Sequence, residues 1–344
     1  MDTHRDTHVA AVVSLTGAVL ATEAFPADAA GYRDLLTWAQ KLGVVERAGV
    51  EGTGTYGASL SRYLLAQGVD VFDVNRTDRA DRRRRGKSDL LDAQNAARAV
   101  LGGRSRARAK SADGPVQIAR MYKLAKTSAV KARTQAINQL KAVLVTAEPA
   151  LREDLAGLGN AELLRRCAGF ADTSSREEAG TETVLQATRI TLGLLASRIG
   201  QLTEQIRDLE KRMTRLVDGY APQLLEVVRI GADTAVTLLI TVGDNWQRLD
   251  SEASFAALCG VSPVERSSGR QTYRRLNRGG DRQANAALHR IVFTRMRVDP
   301  RTRAYVERRT EEGKTRREII RILKRYVARE VFHLIEQQPL GLRS

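Results

Sequence analysis

The sequence has 344 residues, of which 42% are hydrophobic and 28% charged, and this length predicts two or three domains. Its net charge of +16 favours a polyanionic partner, and nucleic acid is expected rather than an anionic membrane surface. No run of about 18 apolar residues is present, so neither a transmembrane helix nor a signal peptide is expected.

The first hundred residues alternate between strand and helix patterns. HVAAVVSL and AVLATEAF predict a hairpin that turns at Gly17, and RAGVE and VDVFDVN predict two further strands. AAGYRDLLTWAQKLG, GASLSRYLLAQG and SDLLDAQNAARAVLGG have helical spacing, and the last of these begins after Ser88, a favourable N-cap, and stops at Gly102. This order predicts an α/β domain with a mixed sheet.

The middle of the chain is helical. Residues 115–170 are basic and alanine-rich, with little strand character. Within residues 185–218, apolar residues recur at alternating spacings of three and four, which predicts a long amphipathic helix. The helix either packs on its own chain as an antiparallel hairpin or dimerises as a coiled coil, and the sequence favours neither. The apolar positions are Leu192, Leu195, Ile199, Leu202, Ile206, Leu209, Met213 and Leu216.

The C-terminal part begins with LLEVVRIGADTAVTLLITVGD, which predicts two helical stretches around a glycine turn, as in a helix-hairpin-helix that offers backbone N–H groups to phosphates. A loop dense in serine, glycine and arginine follows, then a helix, and residues 300–335 predict a basic helical tail. We expect three domains, at residues 1–112, 113–220 and 221–344.

Four acidic residues stand where strands end or a helix begins. Asp2 would end the first strand and Glu51 a later one, while Asp89 and Asp92 share one face of a helix's first turn. Carboxylates grouped in this way can hold Mg²⁺ through oxygen, with substrate phosphates completing the coordination.

A structural explanation of these acids stays open. Acidic residues are stabilised at a helix N-terminus by about 0.3–1 kcal/mol through the macrodipole alone. Asp89 and Asp92 also follow DRRRRGK, whose arginines could pair with them at the surface. Taken singly, neither the pair nor Glu51 establishes catalysis, and it is their combination in a basic protein that favours a metal site.

Ser267 and Ser268 precede Gly269 in the arginine-rich loop. A serine hydroxyl needs activation or a polarised target, and guanidinium groups match the oxygens of a phosphodiester. The surrounding loop therefore suits attack on phosphorus, although composition alone favours a flexible loop that only grips phosphates. Its arginines are Arg266, Arg270, Arg274, Arg275, Arg278 and Arg282.

A second basic segment consists of Arg82, Arg83, Arg84, Arg85 and Lys87, and it predicts phosphate binding without base-specific readout.

Histidine and cysteine give little indication of a metal site. His4 and His8 lie on a strand edge, where two histidines are more often unremarkable than ligands. Cys167 and Cys259 lack ligand spacing and are expected to be buried thiols. The localisation expected is a reducing cytoplasm, in association with the nucleoid.

Together these residues resemble the DEDD transposases of bacterial insertion sequences, whose members include bridge-RNA-guided recombinases. The resemblance covers nearly the whole chain. It rests on Asp2 in DTHRDTHVAAV, Glu51 in VEGTGTYG, and Asp89 with Asp92 in KSDLLDAQNAAR. In the second half it rests on RIGADTAVTLLITVGD, FAALCGVSP, SSGR and LNRGGDRQANAALHR.

The resemblance implies an α/β N-terminal domain with an RNase H-like (RuvC-like) fold. In that domain Asp2, Glu51, Asp89 and Asp92 would bind Mg²⁺, with Mn²⁺ as a substitute. It implies a coiled-coil segment used in assembly and a mainly α-helical C-terminal transposase domain with Ser268 as the nucleophile. It also implies cutting and rejoining of donor and target DNA, guidance by a structured non-coding RNA, and a dimer or tetramer.

The chain departs from the family at its start, because only Met1 precedes Asp2 where the family has an apolar strand. A strand this short lacks a ladder, and termini fray, so we expect Asp2 to be poorly anchored and activity to be weak or absent. Either the start codon is misassigned or the element is degraded. Asp6 is the local alternative, in the turn after the strand.

Two other functions remain open at this level. A metal-dependent nuclease of the Holliday-junction-resolvase type would use water as nucleophile and the serine loop only for binding. A basic coiled-coil protein would bind nucleic acid without catalysis, with a steep salt dependence.

Overall fold

A computed structural model of the protein describes residues 1–74, 88–173, 183–265, 274–275, 277 and 279–336. The chain divides into two compact units. The first comprises Met1–Gln117, Leu239–Leu288 and Ile320–Ser344, and the second comprises Ile118–Leu238 and His289–Ile319. The domain boundaries expected at residues 112 and 220 stay a prediction. No helix among the described residues is both long and apolar enough to cross a membrane.

The chain begins with a three-stranded antiparallel meander. Strands β1 (Asp2–Thr3), β2 (Thr7–Val13) and β3 (Val19–Pro26) pair in sequence order. The turn between β2 and β3 contains Gly17 at φ +84°, a conformation that glycine adopts without steric cost. The predicted hairpin is therefore confirmed.

A parallel pair of strands, β4 (Arg47–Glu51) and β5 (Asp70–Val74), adjoins β1. The Met1 amino group donates a hydrogen bond of 2.7 Å to the Gly49 carbonyl, and the Glu51 N–H donates one of 3.1 Å to the Met1 carbonyl. Met1 is buried, and Asp2 pairs with Val9 on β2. The expectation that Asp2 is poorly anchored is wrong, because residues 1–3 are held on both edges.

Three helices accompany this sheet: α1 (Ala29–Lys41), α2 (Ala58–Ala66) and α3 (Asp89–Leu101). The side chain of Asp28 caps α1 by accepting a hydrogen bond from the Gly31 N–H. Ser88 holds the N-cap position of α3, as predicted, but its side chain makes no capping hydrogen bond. The core beneath α1 and α2 contains Leu35, Val50, Leu60, Leu64 and Val71.

The helix α3 lies close to the sheet. It packs against β1, β2 and β4, and Ala96 and Val100 contact Val74. A Cβ atom on Gly49 would lie 2.8 Å from the Ala96 carbonyl oxygen, so β4 accepts the helix only because residue 49 has no side chain.

The second unit is built on long helices. Helix α4 (Pro115–Thr146) lies mostly within it and is followed by α5 (Pro149–Leu155), α6 (Asn160–Thr173) and α7 (Val184–Tyr220). Lys126 on α4 forms a 2.9 Å ion pair with Glu210 on α7, and Arg133 donates a hydrogen bond to Thr203. These pairs run in opposite chain directions, so α4 and α7 are antiparallel.

The heptad pattern of α7 has two stripes with different burial. Leu192, Ile199, Ile206 and Met213 are buried, while the alternate residues Leu195, Leu202, Leu209 and Leu216 are half-buried. Each buried leucine or isoleucine contributes ~1.5–3 kcal/mol relative to exposure, which stabilises the helix more than its propensity does. On its own chain α7 therefore packs antiparallel to α4, and its dimerisation as a coiled coil stays a prediction.

An ion cluster joins α4 to the start of helix α9 (Ala232–Val242) within the second unit. Lys123 and Lys126 lie 2.6 and 2.9 Å from an Asp233 carboxylate oxygen. Burial opposes ionisation of Asp233, but hydrogen bonds from the two lysines outweigh it and hold the pKa of this carboxyl below its ordinary value.

The predicted helix-hairpin-helix is only partly formed. Its first helical stretch is the single turn α8 (Gln223–Glu226), and Arg229 has φ +70° before α9 begins.

The remaining elements are α10 (Glu252–Leu258), β6 (Val264–Glu265), β7 (Arg274–Arg275), α11 (Arg282–Val298), α12 (Pro300–Glu311) and α13 (Arg316–Glu336). The last two confirm the basic helical tail.

A hydrogen-bonded joint in the first unit connects β5 to the turn after α9. The segment 107–109 lies along β5, where the Ala109 N–H donates to the Val71 carbonyl at 2.8 Å. The Asn245 amide donates to the Ala109 carbonyl at 2.9 Å, and the Val116 N–H donates to the Asp244 carboxylate at 2.7 Å. The start of α4 is thereby fixed to the turn 243–245.

Two glycines meet where the loop before α11 crosses the end of α10. Gly280 has φ +90° and Gly260 has φ +66°. A Cβ atom on Gly280 would lie 2.6 Å from both the Gly260 nitrogen and the Leu258 carbonyl oxygen. The site thus requires glycine for its backbone conformation and for its lack of volume.

We predict that Gly280→Ala lowers the free energy of unfolding by about 2–4 kcal/mol, because strain at positive φ adds to a backbone clash. The matched control is Gly68→Ala, which has φ +79° but no atom within 4 Å of the added Cβ. The control is expected to cost about 1 kcal/mol. Urea denaturation measures both, and equal losses would show that the close packing contributes nothing.

Candidate active site

Asp2 is held at the centre of the first unit's sheet. Its strand lies between β2 and β4, and the residue is 6% exposed. The Thr3 hydroxyl donates a 2.7 Å hydrogen bond to the Glu51 carbonyl, which adds a further connection to β4. The Asp2 carboxylate therefore has a fixed position rather than that of a frayed terminus.

Helix α3 brings two more carboxylates to this region. Asp89 and Asp92 are both in its first turn, on the side of the molecule where the helix packs against β1, β2 and β4. Asp92 is only 2% exposed, whereas the side chain of Asp89 is half-exposed. The two aspartates, three residues apart, thus differ in burial: the Asp92 carboxylate lies inside the helix–sheet packing and the Asp89 carboxylate lies at its edge.

His4 joins the strand carboxylate to the helix carboxylate. Its Nε2 atom lies 3.2 Å from Asp2 Oδ2 and 3.5 Å from Asp89 Oδ2. Among the described residues, one group of histidine, cysteine or acidic side chains has ligand atoms that converge. It consists of Asp2, His4 and Asp89, whose ligand atoms all lie within 4.8 Å of one another. Two carboxylates and an imidazole form a donor set that fits a divalent cation.

Glu51 and Asp92 lie on elements adjoining this group. Glu51 is the last residue of β4, is half-buried, and is connected to residues 1–3 through its backbone N–H and carbonyl. The four acidic residues singled out from the sequence therefore come from neighbouring elements. The ligand atoms that converge most closely are those of Asp2 and Asp89.

Burial sets the ionisation of groups beside the carboxylates. It lowers the pKa of the Met1 amino group to about 5, against the raising effect of Asp2 and Glu51. The amino group donates its hydrogen bond to the Gly49 carbonyl.

The two N-terminal histidines have different environments. His8 is fully buried, stacks on Tyr32 at 5.6 Å, and has its pKa lowered by burial. His8 is therefore a core residue, whereas the sequence analysis placed it on a strand edge. His4 is the residue whose position the sequence analysis missed. The available signal was its spacing of two from Asp2, which places both side chains on one side of an extended segment.

The serine loop is described only at its two ends. Ser267, Ser268, Arg266, Arg270 and Arg278 lie outside the described residues, as do Arg82–Arg85 and Lys87. Before and after the loop, β6 pairs with β7, with Glu265 opposite Arg274 and Val264 opposite Arg275. Arg282 is exposed at the first position of α11.

The C-terminal end of the loop is fixed by Asp281. Its carboxylate caps α11 by accepting hydrogen bonds from the Gln283 N–H at 2.7 Å and the Ala284 N–H at 3.2 Å. It also accepts a 3.0 Å bond from the Thr241 hydroxyl of α9. One side chain therefore fixes both the start of α11 and its place beside α9.

Asn285 and Lys324 complete this support. The Asn285 amide donates to the carbonyls of Cys259 and Gly260, both at 3.0 Å, and its Oδ1 accepts a 2.7 Å bond from Lys324 Nζ. Burial, and then the nearby Arg321, lower the pKa of Lys324. Asn285 belongs to the LNRGGDRQAN motif, but its role depends on tertiary contacts that the motif does not indicate. Cys167 and Cys259 are buried free thiols, as expected.

Comparison with known proteins identifies both ends of the chain as transposase regions. A DEDD transposase family model matches residues 1–149, and a model described as "Transposase IS116/IS110/IS902 family" matches residues 221–307. Together the two matches cover more than half of the chain. The chain belongs to the IS110 family of DEDD-type transposases.

A Streptomyces coelicolor protein described as "Insertion element IS110 uncharacterized 43.6 kDa protein" is 35% identical to this chain over 124 residues. The matched segment makes up 35% of this chain and 30% of the relative's length.

We predict that Asp281→Ala lowers the free energy of unfolding by about 1–2 kcal/mol, because α11 loses its cap and Thr241 loses its acceptor. Asp281→Asn is the matched control, since asparagine caps helices about as well as aspartate and should lose less. Chemical denaturation compares them. Equal losses from both variants would contradict a capping role and assign the effect to charge.

Proposed function

We propose that the protein is the DNA transposase of an insertion sequence, which cuts and rejoins DNA strands. The observation that carries the proposal is the convergence of the Asp2 and Asp89 carboxylates in the region matched by a DEDD transposase model. The antiparallel sheet β1–β3, the adjoining parallel pair β4–β5 and the helix α3 packed against both support an RNase H-like (RuvC-like) fold for this region.

The acidic residues would bind Mg²⁺, or Mn²⁺ in its place. Asp2 and Asp89 supply converging oxygens, and Glu51 and Asp92 lie on the adjoining strand and helix turn. Hard oxygen donors of this kind suit Mg²⁺. When bound, the cation supplies stabilisation of the charge that develops on the DNA phosphate. The chain's contribution is the rigid placement of its carboxylates by β1, β4 and α3.

Ser268 would be the nucleophile, with Ser267 as the alternative. Its Oγ forms a bond to phosphorus, and one P–O bond of the DNA strand breaks. The leaving oxygen gains a proton equivalent to the one that the serine loses. Rejoining reverses these events with a different strand end, so the phosphodiester energy is conserved. The arginines near the serine, Arg266, Arg270, Arg274, Arg275, Arg278 and Arg282, would hold the phosphates.

The partners would be donor DNA, target DNA and a structured guide RNA. A net charge of +16 suits backbone binding, and base pairing by the RNA would provide sequence specificity. A dimer or tetramer would bring the acidic group of one protomer to the serine of another. The half-buried residues Leu202, Leu209 and Leu216 of α7 would contribute to such assembly.

We predict that Ser268→Ala abolishes the covalent protein–DNA adduct, because no hydroxyl remains to attack phosphorus. Purified protein is incubated with Mg²⁺, a plasmid carrying the element and its flanks, and RNA transcribed from those flanks. The adduct is detected on a denaturing gel. Ser267→Ala is the matched control and should form adduct at the wild-type level. If Ser267→Ala loses the adduct and Ser268→Ala keeps it, Ser267 is the nucleophile.

The same assay separates the rival nuclease. A resolvase-type enzyme with water as nucleophile would lose cleavage in Asp89→Asn but keep it in Ser268→Ala, with no adduct from either protein. A non-catalytic binding protein would give neither cleavage nor adduct, and Asp92→Asn would leave its binding unchanged.

We predict that Arg83→Ala combined with Arg84→Ala makes duplex DNA binding less sensitive to salt. The slope of log K against log salt is negative, and its magnitude should fall by about 2. The control pair, Arg165→Ala with Arg166→Ala, removes the same charge from arginines that pair with Glu162 and Asp154 on the surface. Its slope should stay near the wild-type value. Equal reductions in both variants would show that net charge, and not the segment, determines binding.

A further inference from the structure

The position of His4 within the acidic group has a chemical consequence. Its imidazole nitrogen lies between a carboxylate from the strand and one from the helix, at 3.2 and 3.5 Å. The Asp2 side chain is 8% exposed, while those of His4 and Asp89 are 45% and 51% exposed. Asp2 is therefore the buried member of the group, and solvent reaches the group from the side of His4 and Asp89.

These separations match ligands that share one cation. Metal–nitrogen and metal–oxygen bonds of ~2.1 Å place two adjacent ligands roughly 3.0–3.4 Å apart in octahedral or tetrahedral geometry. The two distances from His4 are close to this range, and all three ligand atoms lie within 4.8 Å of one another. A cation can bind here with only a small adjustment of the His4 and Asp89 side chains.

We propose that His4 is a further protein ligand of this site, through Nε2 and beside the carboxylates, and that the site therefore binds Mn²⁺ in preference to Mg²⁺. The proposal rests on the metal-binding acidic group of the proposed function. Imidazole nitrogen is a ligand for transition metals, whereas Mg²⁺ takes oxygen donors almost exclusively. An all-carboxylate group would not discriminate in this way, so His4 determines the choice of metal.

A competing account gives His4 the opposite effect. As an imidazolium it would be a counter-ion that holds Asp2 and Asp89 together and occupies the position of the cation. Removing it would then strengthen metal binding, because the carboxylates would no longer have an internal partner. A ligand and a counter-ion thus predict changes of opposite sign in the same variant.

The test titrates the full-length protein with Mn²⁺ and with Mg²⁺, without DNA. Pulsed electron paramagnetic resonance of the bound Mn²⁺ detects coupling to an imidazole ¹⁴N nucleus. We expect such coupling in the wild type and its loss in His4→Ala. In that variant Mn²⁺ affinity should fall at least about tenfold, and Mg²⁺ affinity less than about threefold. Asp6→Asn is the control, since Asp6 is 89% exposed and pairs with Arg5, and it should behave as wild type.

Other results overturn the proposal. If the wild type binds Mn²⁺ without ¹⁴N coupling, His4 is not a ligand. The same conclusion follows if His4→Ala binds Mn²⁺ and Mg²⁺ with the same affinities as the wild type. A rise in affinity in His4→Ala establishes the counter-ion instead. The variant Asp2→Asn tests whether the acidic site binds metal at all, independently of the role of His4. If wild type binds Mn²⁺ and Asp2→Asn does not, the acidic site stands whatever His4 does. If neither protein binds metal, the site of the proposed function fails as well.

Discussion

Two backbone hydrogen bonds at residue 1 connect the antiparallel and parallel parts of the first unit's sheet. They run between Met1 and β4, to Gly49 and from Glu51. Without them, Asp2 would lie on an edge strand of two residues, held by β2 and by the Thr3 side chain alone. With them, its carboxylate has a defined position to which α3 can bring a second one. The candidate site therefore depends on a pairing that adds no side-chain chemistry of its own.

The close approach of α3 to the sheet is the second requirement. Gly49 allows the helix backbone to come near β4, and this places Asp92 inside the packing and Asp89 at its edge. A side chain at position 49 would bring its Cβ atom to 2.8 Å from the Ala96 carbonyl oxygen, so the helix would have to move away from β4. Such a displacement would separate Asp89 from His4 without altering any residue that touches metal or DNA.

Much of the architecture is predictable because its signals are local. The hairpin at Gly17, the strands before the glycine-rich turns and the periodicity of α7 each follow from residues near one another in sequence. Long-range contacts were not predictable. The anchoring of Asp2 depends on a pairing across 48 residues, and a rule about fraying termini gave the wrong answer. The spacing of His4 from Asp2 is a local signal, but its approach to Asp89 depends on how α3 packs. The support given by Asn285 and Lys324 likewise joins different segments.

The first unit is assembled from three separated stretches of the chain, Met1–Gln117, Leu239–Leu288 and Ile320–Ser344. During synthesis, the N-terminal sheet can form early, because its partners emerge together. The joint at residues 107–116 has to wait for Asp244 and Asn245, and Asn285 has to wait for Lys324. Folding of the unit is thus completed only when the last helix leaves the ribosome. A chain that terminates early would carry the acidic residues but would lack the bond from Lys324 to Asn285.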